Sequence, residues 1–222
     1  MYENVTAIIP AYNEEKNIRK TIEGLKKIEV IDEIIVVDDG STDSTFNLVS
    51  AIEDIIVLKH DKNRGKGFAV KSALSHVGNR FVVLVDADLC ESAYEIRLLL
   101  DKCCFNDNSV IVGKLPPPKR KGGFGIVKFT AAKGYKLLTS KEPMSVLSGQ
   151  RVIPVRLLRE IDIPNDFGLE FKLSVEAARR NYEIIEIPVN IRHRETGRDL
   201  KSFIHRGRQF KDIFRAILKE VR

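Results

Sequence analysis

Short runs of consecutive apolar residues, rich in valine and isoleucine, alternate along the first half of the chain with segments of helical periodicity. The runs are VTAII (5–9), EIIVV (33–37), IIVLK (55–59), FVVLV (81–85) and SVIVG (109–113). Strands that are apolar on both faces are typical of a parallel sheet covered on both sides, and segments such as NIRKTIEGLKKI predict the covering helices. The pattern predicts a Rossmann-like α/β fold with a mostly parallel sheet sandwiched by helices.

The second half of the chain begins with a segment of different composition. KLPPPKRKGGFG (114–125) combines prolines, glycines and cations, which predicts a loop. After it, IVKFTAAKGYKLL predicts a helix, a further helix is predicted from about Gly168 to Arg180, and YEIIEIPVNI predicts a strand. From Leu200 onward the apolar residues fall on one helical stripe with cations on the other face, which predicts a C-terminal amphipathic helix.

Length and composition favour one globular domain in a reducing compartment. A chain of 222 residues with 43% hydrophobic content suits a single core, and no stretch is apolar enough for a membrane span. The first residues carry acids and no positive n-region, so we do not expect them to be a signal peptide. The three cysteines, Cys90, Cys103 and Cys104, form no CxxC pair, so we expect neither a disulfide framework nor a zinc site. We therefore expect a cytoplasmic location, where cysteines stay reduced.

The net charge of +6 is concentrated in the C-terminal segment. Residues 192–222 contain ten Lys or Arg against four Asp or Glu, so the rest of the chain is balanced. A general nucleic-acid-binding surface is therefore not indicated.

Polar motifs follow the predicted strands where an open parallel sheet binds its ligands, beyond the carboxyl ends. These motifs are PAYNEE, DDGSTD, HDKNRGKG and DADLC. NRGKG places glycines and Lys66 ahead of a helix, which suits an anion. The segment lacks both the P-loop and the dinucleotide pattern, so nucleotide hydrolysis and hydride transfer are not supported.

Two carboxylates, Asp86 and Asp88, end the buried run FVVLV. Mg²⁺ and Mn²⁺ take oxygen ligands, usually one or two carboxylates with substrate phosphates completing the shell. Acids at this position can also cap the helix that follows a strand. The pair alone leaves both interpretations open.

The ordered set of motifs resembles the family 2 glycosyltransferases with a GT-A fold, most closely the dolichyl- or polyprenyl-phosphate sugar transferase type. IIPAYNEE, VVDDGSTD, NRGKG and LVDADL carry the resemblance in the first half, and SGQR, FGLEFKLSVEAARRNYEIIEIPV and IRHRETGRDL continue it. It implies one GT-A domain over 1–222. Within it, 1–113 would bind the nucleotide sugar, 114–198 would bind the acceptor, and 199–222 would form the basic tail helix.

The resemblance implies a role for each matching residue. Residues that would bind the nucleotide sugar are Pro10, Tyr12, Glu14, Asp39, Lys66 and Asp86. Ligands for Mg²⁺ or Mn²⁺ would be Asp86, Asp88 and His193. Glu170 matches the position of a catalytic base, with Asp166 as the second candidate, although Glu170 could instead only interact with a helix N-terminus. Cations that would hold an acceptor phosphate are Lys119, Arg120, Lys121 and Arg151.

Two acceptor classes remain open. The first is a polyprenyl phosphate, and that enzyme type implies a phosphate nucleophile that is already ionised. The segment MSVLSGQR of this chain departs from the DPTSGFR-like segment that is usual in enzymes of that type. The alternative is a small soluble acceptor of the glucosyl-phosphoglycerate type. The resemblance implies UDP-glucose as the preferred donor, with GDP-mannose as the rival, and the composition does not choose between them. The tail helix would suit an anionic membrane surface, or packing on the sheet or on the second subunit of a homodimer.

Other function classes fit the sequence less well. A sugar-phosphate nucleotidyltransferase should begin with a glycine- and arginine-rich loop where this chain has PAYNEE. A non-catalytic nucleotide-sugar-binding module would be expected to lose an acid from DDGSTD or DAD, and both motifs are intact.

Overall fold

The fold is an α/β sandwich, seen in a computed structural model that describes residues 4–103, 105–116, 124–165, 168–191 and Ile217. In these residues the strands form one seven-stranded sheet of order β3-β2-β1-β4-β6-β5-β7. The strands are β1 (Val5–Ala11), β2 (Ile31–Asp38), β3 (Ile56–Lys59), β4 (Phe81–Leu84), β5 (Ser109–Lys114), β6 (Arg151–Pro154) and β7 (Glu183–Pro188). β6 runs antiparallel to β4 and β5, and the remaining pairs are parallel. The predicted mostly parallel sheet is confirmed.

Helices cover both faces of this sheet. They are α1 (Ile18–Leu25), α2 (Thr45–Ser50), α3 (Lys66–Leu74), α4 (Arg97–Asp101), α5 (Phe124–Thr139), α6 (Val155–Glu160) and α7 (Leu169–Arg179), with a 3₁₀ helix over Cys90–Ile96. Neighbouring residues of β1 point to opposite faces, so Ile9 packs with Ile22 of α1 while Ile8 packs with Val70 of α3. Burial on both faces explains why the strands are continuous apolar runs.

A smaller apolar cluster joins α5 to α7. It contains Ala131 and Tyr135 of α5 and Phe171 of α7, and the partly buried Ile217 packs against it. A Cβ atom on Gly134 would lie 2.5 Å from the Cδ1 atom of Ile217, so glycine permits this close approach. At Ile217 the C-terminal segment therefore packs on the protein; the rest of the predicted tail helix lies outside the described residues. Among the helices of the described ranges, none is both long and apolar enough to cross a membrane.

The start of α3 docks tightly on the segment before α7. The amide of Gly67 donates to the carbonyl oxygen of Asn165 at 3.1 Å, and a Cβ atom on Gly67 would overlap the carbonyl oxygen of Pro164. Glycine at position 67 thus lets the N-terminus of α3 approach this segment.

Replacing Gly67 with alanine should therefore destabilise the protein. We expect Gly67→Ala to lower the free energy of unfolding by about 3 kcal/mol, because the clash is with backbone that cannot rotate away. The matched control is Gly78→Ala, whose added Cβ atom meets nothing within 4 Å. Urea unfolding of both variants measures the difference, and equal stabilities would contradict the close contact.

Candidate active site

The polar motifs converge at the edge of the sheet where the parallel strands β1, β2, β3 and β4 end. Ala11 lies opposite Asp38, and Asp38 lies opposite Lys59, so the three following loops start side by side. The amide of Asp39 donates to the carbonyl oxygen of Ala11, and the amide of His60 donates to that of Asp38. The expected placement of these motifs at one edge is therefore found in the structure.

The loops after β1 and β2 are hydrogen-bonded to each other. The amide of Glu14 donates to the hydroxyl oxygen of Thr45 at 2.8 Å, and the amide of Asn13 donates to that of Ser41 at 2.9 Å. Tyr12 lies beside these bonds and is 45% exposed at the end of β1. Its ring is thus presented on a braced loop, which suits stacking on a planar ligand. Pro10 lies two residues before Tyr12, within β1.

Lys66, the first residue of α3, lies between two carboxylates. Its Nζ atom donates to Asp86 Oδ1 at 2.5 Å and to Glu170 Oε1 at 2.6 Å, and the three side chains are 18%, 25% and 11% exposed. Burial alone would lower the pKa of the Lys66 ammonium, but the charges of Asp86 and Glu170 together outweigh it and hold the pKa above its ordinary value. Lys66 therefore remains a cation that joins β4 to the start of α7.

The loop before β6 closes over Asp86. Gln150 donates its Nε2 hydrogen to Asp86 Oδ2 at 2.6 Å, and a Cβ atom on Gly149 would lie only 2.5 Å from the same oxygen. Both residues belong to the SGQR segment, whose contribution to this site the sequence interpretation missed. Because Lys66 and Gln150 bind different oxygens, they fix the orientation of the Asp86 carboxylate.

Asp86 and Asp88 offer oxygen ligands suited to a hard divalent cation. Asp88 is partly buried in the turn after β4. In the described ranges no group of three or more His, Cys, Asp or Glu could hold a metal ion, so the described residues offer at most this pair. That donor set fits Mg²⁺ or Mn²⁺, which bind few protein carboxylates and complete their shell with water and phosphate oxygens.

Asp39 anchors the loop between β3 and α3. Its carboxylate accepts hydrogen bonds from the amides of Arg64 and Gly65 and from Nδ1 of His60, at 2.7 to 3.1 Å. Gly65 has a φ of 96°, which is unfavourable for other residues, and directly precedes Lys66. Sequence reasoning placed Asp39 on the nucleotide and assigned no role to His60, although both belong to strand-end motifs.

The neighbouring Asp38 is fully buried, and within the described residues neither of its carboxylate oxygens has a hydrogen-bond partner.

The prediction that Arg151 holds an acceptor phosphate is wrong. Arg151 is 1% exposed, and its guanidinium donates to the carbonyl oxygens of Ser148 and Val146 and to the hydroxyl of Ser174. Burial lowers the pKa of this guanidinium to about 10, against the opposing charge of Glu170. Its hydrogen bonds hold the loop before β6 against α7, so its role is structural.

Several predicted site residues lie outside the described residues. They are Lys119, Arg120 and Lys121 of the basic loop, Asp166 before α7, and His193 after β7. Their assigned roles remain predictions. Of the other predicted residues, Lys66, Asp86 and Glu170 are brought into direct contact, whereas Tyr12, Glu14 and Asp39 lie on the neighbouring loops.

The chain is similar in sequence or in fold to several known proteins. The chain is 28% identical over 181 residues to the UDP-N-acetylglucosamine--dolichyl-phosphate N-acetylglucosaminyltransferase of Methanococcus voltae, covering 64% of this chain and 72% of the relative. It is 36% identical over 124 residues to a dolichyl-phosphate beta-glucosyltransferase of Trichomonas vaginalis, covering 49% of this chain and 38% of the relative.

Among solved structures, glucosyl-3-phosphoglycerate synthase of Mycobacterium tuberculosis has the same fold. In its complex with phosphoglyceric acid it superimposes with a TM-score of 0.81 at 21% identity, covering 98% of this chain and 80% of that one. Another of its structures contains Mn²⁺ and UDP-glucose. The family model for glycosyl transferase family 2 matches residues 6–147, which include every strand-end motif of the first half. With this match over more than half of its length, the chain belongs to glycosyl transferase family 2.

Proposed function

We propose that the protein is a metal-dependent transferase that moves one hexose from a nucleotide sugar to a polyprenyl phosphate. UDP-glucose is the preferred donor, and GDP-mannose is the alternative. Two relatives named as acting with dolichyl phosphate support the acceptor class. With such an acceptor, we place the protein peripherally on the cytoplasmic face of a membrane. Residues 1–113 would bind the donor and residues 114–198 the acceptor.

The ion pair of Glu170 is the observation that carries this proposal. A general base must offer a free lone pair to the acceptor proton. Here Glu170 Oε1 accepts a hydrogen bond from Lys66 at 2.6 Å, and the side chain is 11% exposed. The ammonium of Lys66 thus competes with an acceptor hydroxyl for this carboxylate. An acceptor phosphate needs no base because it arrives ionised, so this arrangement favours a phosphate nucleophile over a hydroxyl.

The donor would lie along the sheet edge. Tyr12 would stack on the base, and Glu14 and Asp39 lie on the two loops beside it. Asp86 and Asp88 would hold a divalent cation, which when bound supplies charge neutralisation to the departing diphosphate. Lys66 and Gln150 would keep the carboxylate of Asp86 oriented towards that cation.

A small phosphate-bearing acceptor is the second candidate. It is favoured by the fold likeness to a synthase solved with phosphoglyceric acid, which extends over 98% of this chain. The two candidates differ in the attacking group, since a hydroxyl acceptor requires proton removal and a polyprenyl phosphate does not.

The donor is tested by a thermal-shift panel of UDP-glucose, UDP-GlcNAc, GDP-mannose, UDP, GDP and ATP, each with Mg²⁺, Mn²⁺ or EDTA. A ligand at about 100 times its Kd should add about 2.7 kcal/mol of stability. We expect one nucleotide sugar to stabilise the protein only when metal is present. If no nucleotide does so, the proposed transferase is contradicted.

The acceptor is tested by sugar transfer from that donor to a short-chain polyprenyl phosphate or to 3-phosphoglycerate. With polyprenyl phosphate we expect Glu170→Gln to retain turnover within about tenfold, because loss of a true general base typically costs 10²- to 10⁴-fold. A larger loss would restore Glu170 as a base and favour the hydroxyl acceptor. The exposed Glu183→Gln, on the edge strand β7, is the matched control.

A further inference from the structure

His60 is a partly buried polar residue at the candidate site to which no role has been assigned. It follows β3, and its side chain is 10% exposed. Its Nδ1 atom donates to Asp39 Oδ1 at 2.7 Å, and its Nε2 atom lies 2.9 Å from the hydroxyl oxygen of Ser72 on α3. Both ring nitrogens are therefore engaged, one of them with a residue of the proposed nucleotide site.

The ring of His60 is also held by packing. Phe68 contacts it edge-on with 5.1 Å between ring centroids, and the guanidinium of Arg64 covers the ring of Phe68 at 3.4 Å. Phe68 and Ser72 lie one turn apart on α3, so both contact the imidazole from the same helix. An imidazole fixed in this way keeps its Nδ1 hydrogen directed at Asp39.

The acceptor capacity of Asp39 is nearly used within the protein. Its carboxylate already receives three N–H donors, from His60, Arg64 and Gly65, and the amide of Arg64 lies within hydrogen-bond distance of both oxygens. A carboxylate has about four lone-pair sites, so about one place remains. The side chain is 5% exposed, so little of it is open to a ligand.

We infer that His60 is a positioning residue that orients Asp39 and leaves it one acceptor place for a nucleobase N–H group. This inference rests on the proposed function, in which Asp39 lies beside the base of the donor, and it adds that Asp39 contacts that base. Uracil presents one N–H on its pairing edge, whereas guanine presents two adjacent donors there. The geometry therefore selects a uridine nucleotide over a guanosine nucleotide.

Calorimetric titration with UDP and with GDP, in the presence of Mg²⁺, tests the inference. We expect wild type to bind UDP at least about tenfold more tightly than GDP, since a carboxylate with one free place satisfies only one of guanine's donors. His60→Leu removes the Nδ1 hydrogen-bond donor and keeps the bulk of the side chain. It should raise the Kd for UDP roughly tenfold and lower the ratio of the Kd for GDP to the Kd for UDP. His60→Asn places an amide N–H where Nδ1 lies, and it should bind UDP within about threefold of wild type.

The controls separate positioning from stability. His76→Asn replaces an exposed histidine beside α3 and should leave both Kd values unchanged. If His60→Leu does not fold, His60→Gln replaces it, because its amide reaches the Nε2 position and cannot restore the bond to Asp39. A purely structural His60 would lower the melting temperature without changing the ratio of the two Kd values.

Three outcomes would overturn the inference. The first is that His60→Leu binds UDP as tightly as wild type does. The second is that His60→Asn loses as much UDP affinity as the Leu or Gln variant. The third is that wild type binds GDP more tightly than UDP. A wild type that binds neither nucleotide would contradict the proposed function itself. If wild type binds UDP and His60→Leu binds it equally tightly, the proposed function stands and only the role of His60 is rejected.

Discussion

Asp88→Asn is expected to abolish metal-dependent nucleotide binding while leaving the fold intact. The amide has the size and shape of the carboxylate but lacks its charge, and hard divalent cations depend on charged oxygen ligands. A bound cation stabilises developing charge by several kcal/mol, so turnover should fall at least roughly 100-fold. Asp88 is partly buried and lies in a turn after β4, so the substitution disturbs little of the core.

The measurement compares UDP binding in Mg²⁺ and in EDTA for wild type and variant. Wild type should lose affinity in EDTA, whereas Asp88→Asn should bind equally weakly in both. Asp101→Asn, an exposed acid at the end of α4, is the matched control and should behave as wild type. Metal-dependent binding retained by Asp88→Asn would assign the acid to capping the turn.

Asp86→Asn should differ from Asp88→Asn in stability. Asp86 is bound by both Lys66 and Gln150, so losing its charge also weakens an ion pair inside the protein. We therefore expect both variants to lose metal-dependent binding and only the Asp86 variant to melt at a clearly lower temperature. This contrast separates the metal-binding role of the acids from their structural role.

The fold and the location of the site could be predicted from the sequence because both depend on local patterns. Short apolar runs rich in β-branched residues, such as FVVLV, favour buried strands, and parallel strands bring their carboxyl ends, with Asp39 and Asp86, to one edge. The reversal of β6 was not predicted. A four-residue strand has the same apolar pattern in either direction, and its orientation depends on the loops around it.

The contacts within the site could not be predicted in the same way. Lys66 and Glu170 are 104 positions apart, and nothing in either local motif indicates that one ammonium bridges two acids. Arg151 was misassigned because a cation in a motif reads as a ligand contact, whereas the fold buries it against carbonyl oxygens. His60 was overlooked because its partner Asp39 belongs to another strand end.

Lys66→Met should produce the second large effect, on both stability and turnover. The substitution removes the only ammonium that the described residues place between Asp86 and Glu170, and leaves two partly buried carboxylates close together. Breaking a buried pair by removing one partner typically costs about 3 to 5 kcal/mol, and the partial exposure of these groups reduces the expected loss to about 2 to 3 kcal/mol. Lys62→Met, an exposed lysine in the preceding loop, is the matched control.

The pH dependence of this loss has a defined sign. The pKa of Lys66 is raised from its ordinary value of 10.5, so its contribution is fully present below that pH and is lost only as pH rises through the higher folded-state value. Wild-type stability from this cluster should therefore be flat between about pH 6 and 9.

A double variant separates the structural consequence from the functional one. Lys66→Met with Glu170→Gln removes the repulsion and should recover at least half of the lost stability, as measured by urea unfolding at neutral pH. Turnover should not recover, because Asp86 still lacks the ammonium that orients it. Recovery of both properties would mean that Lys66 only neutralises Glu170, and failure of both would mean that Asp86 is its dominant partner.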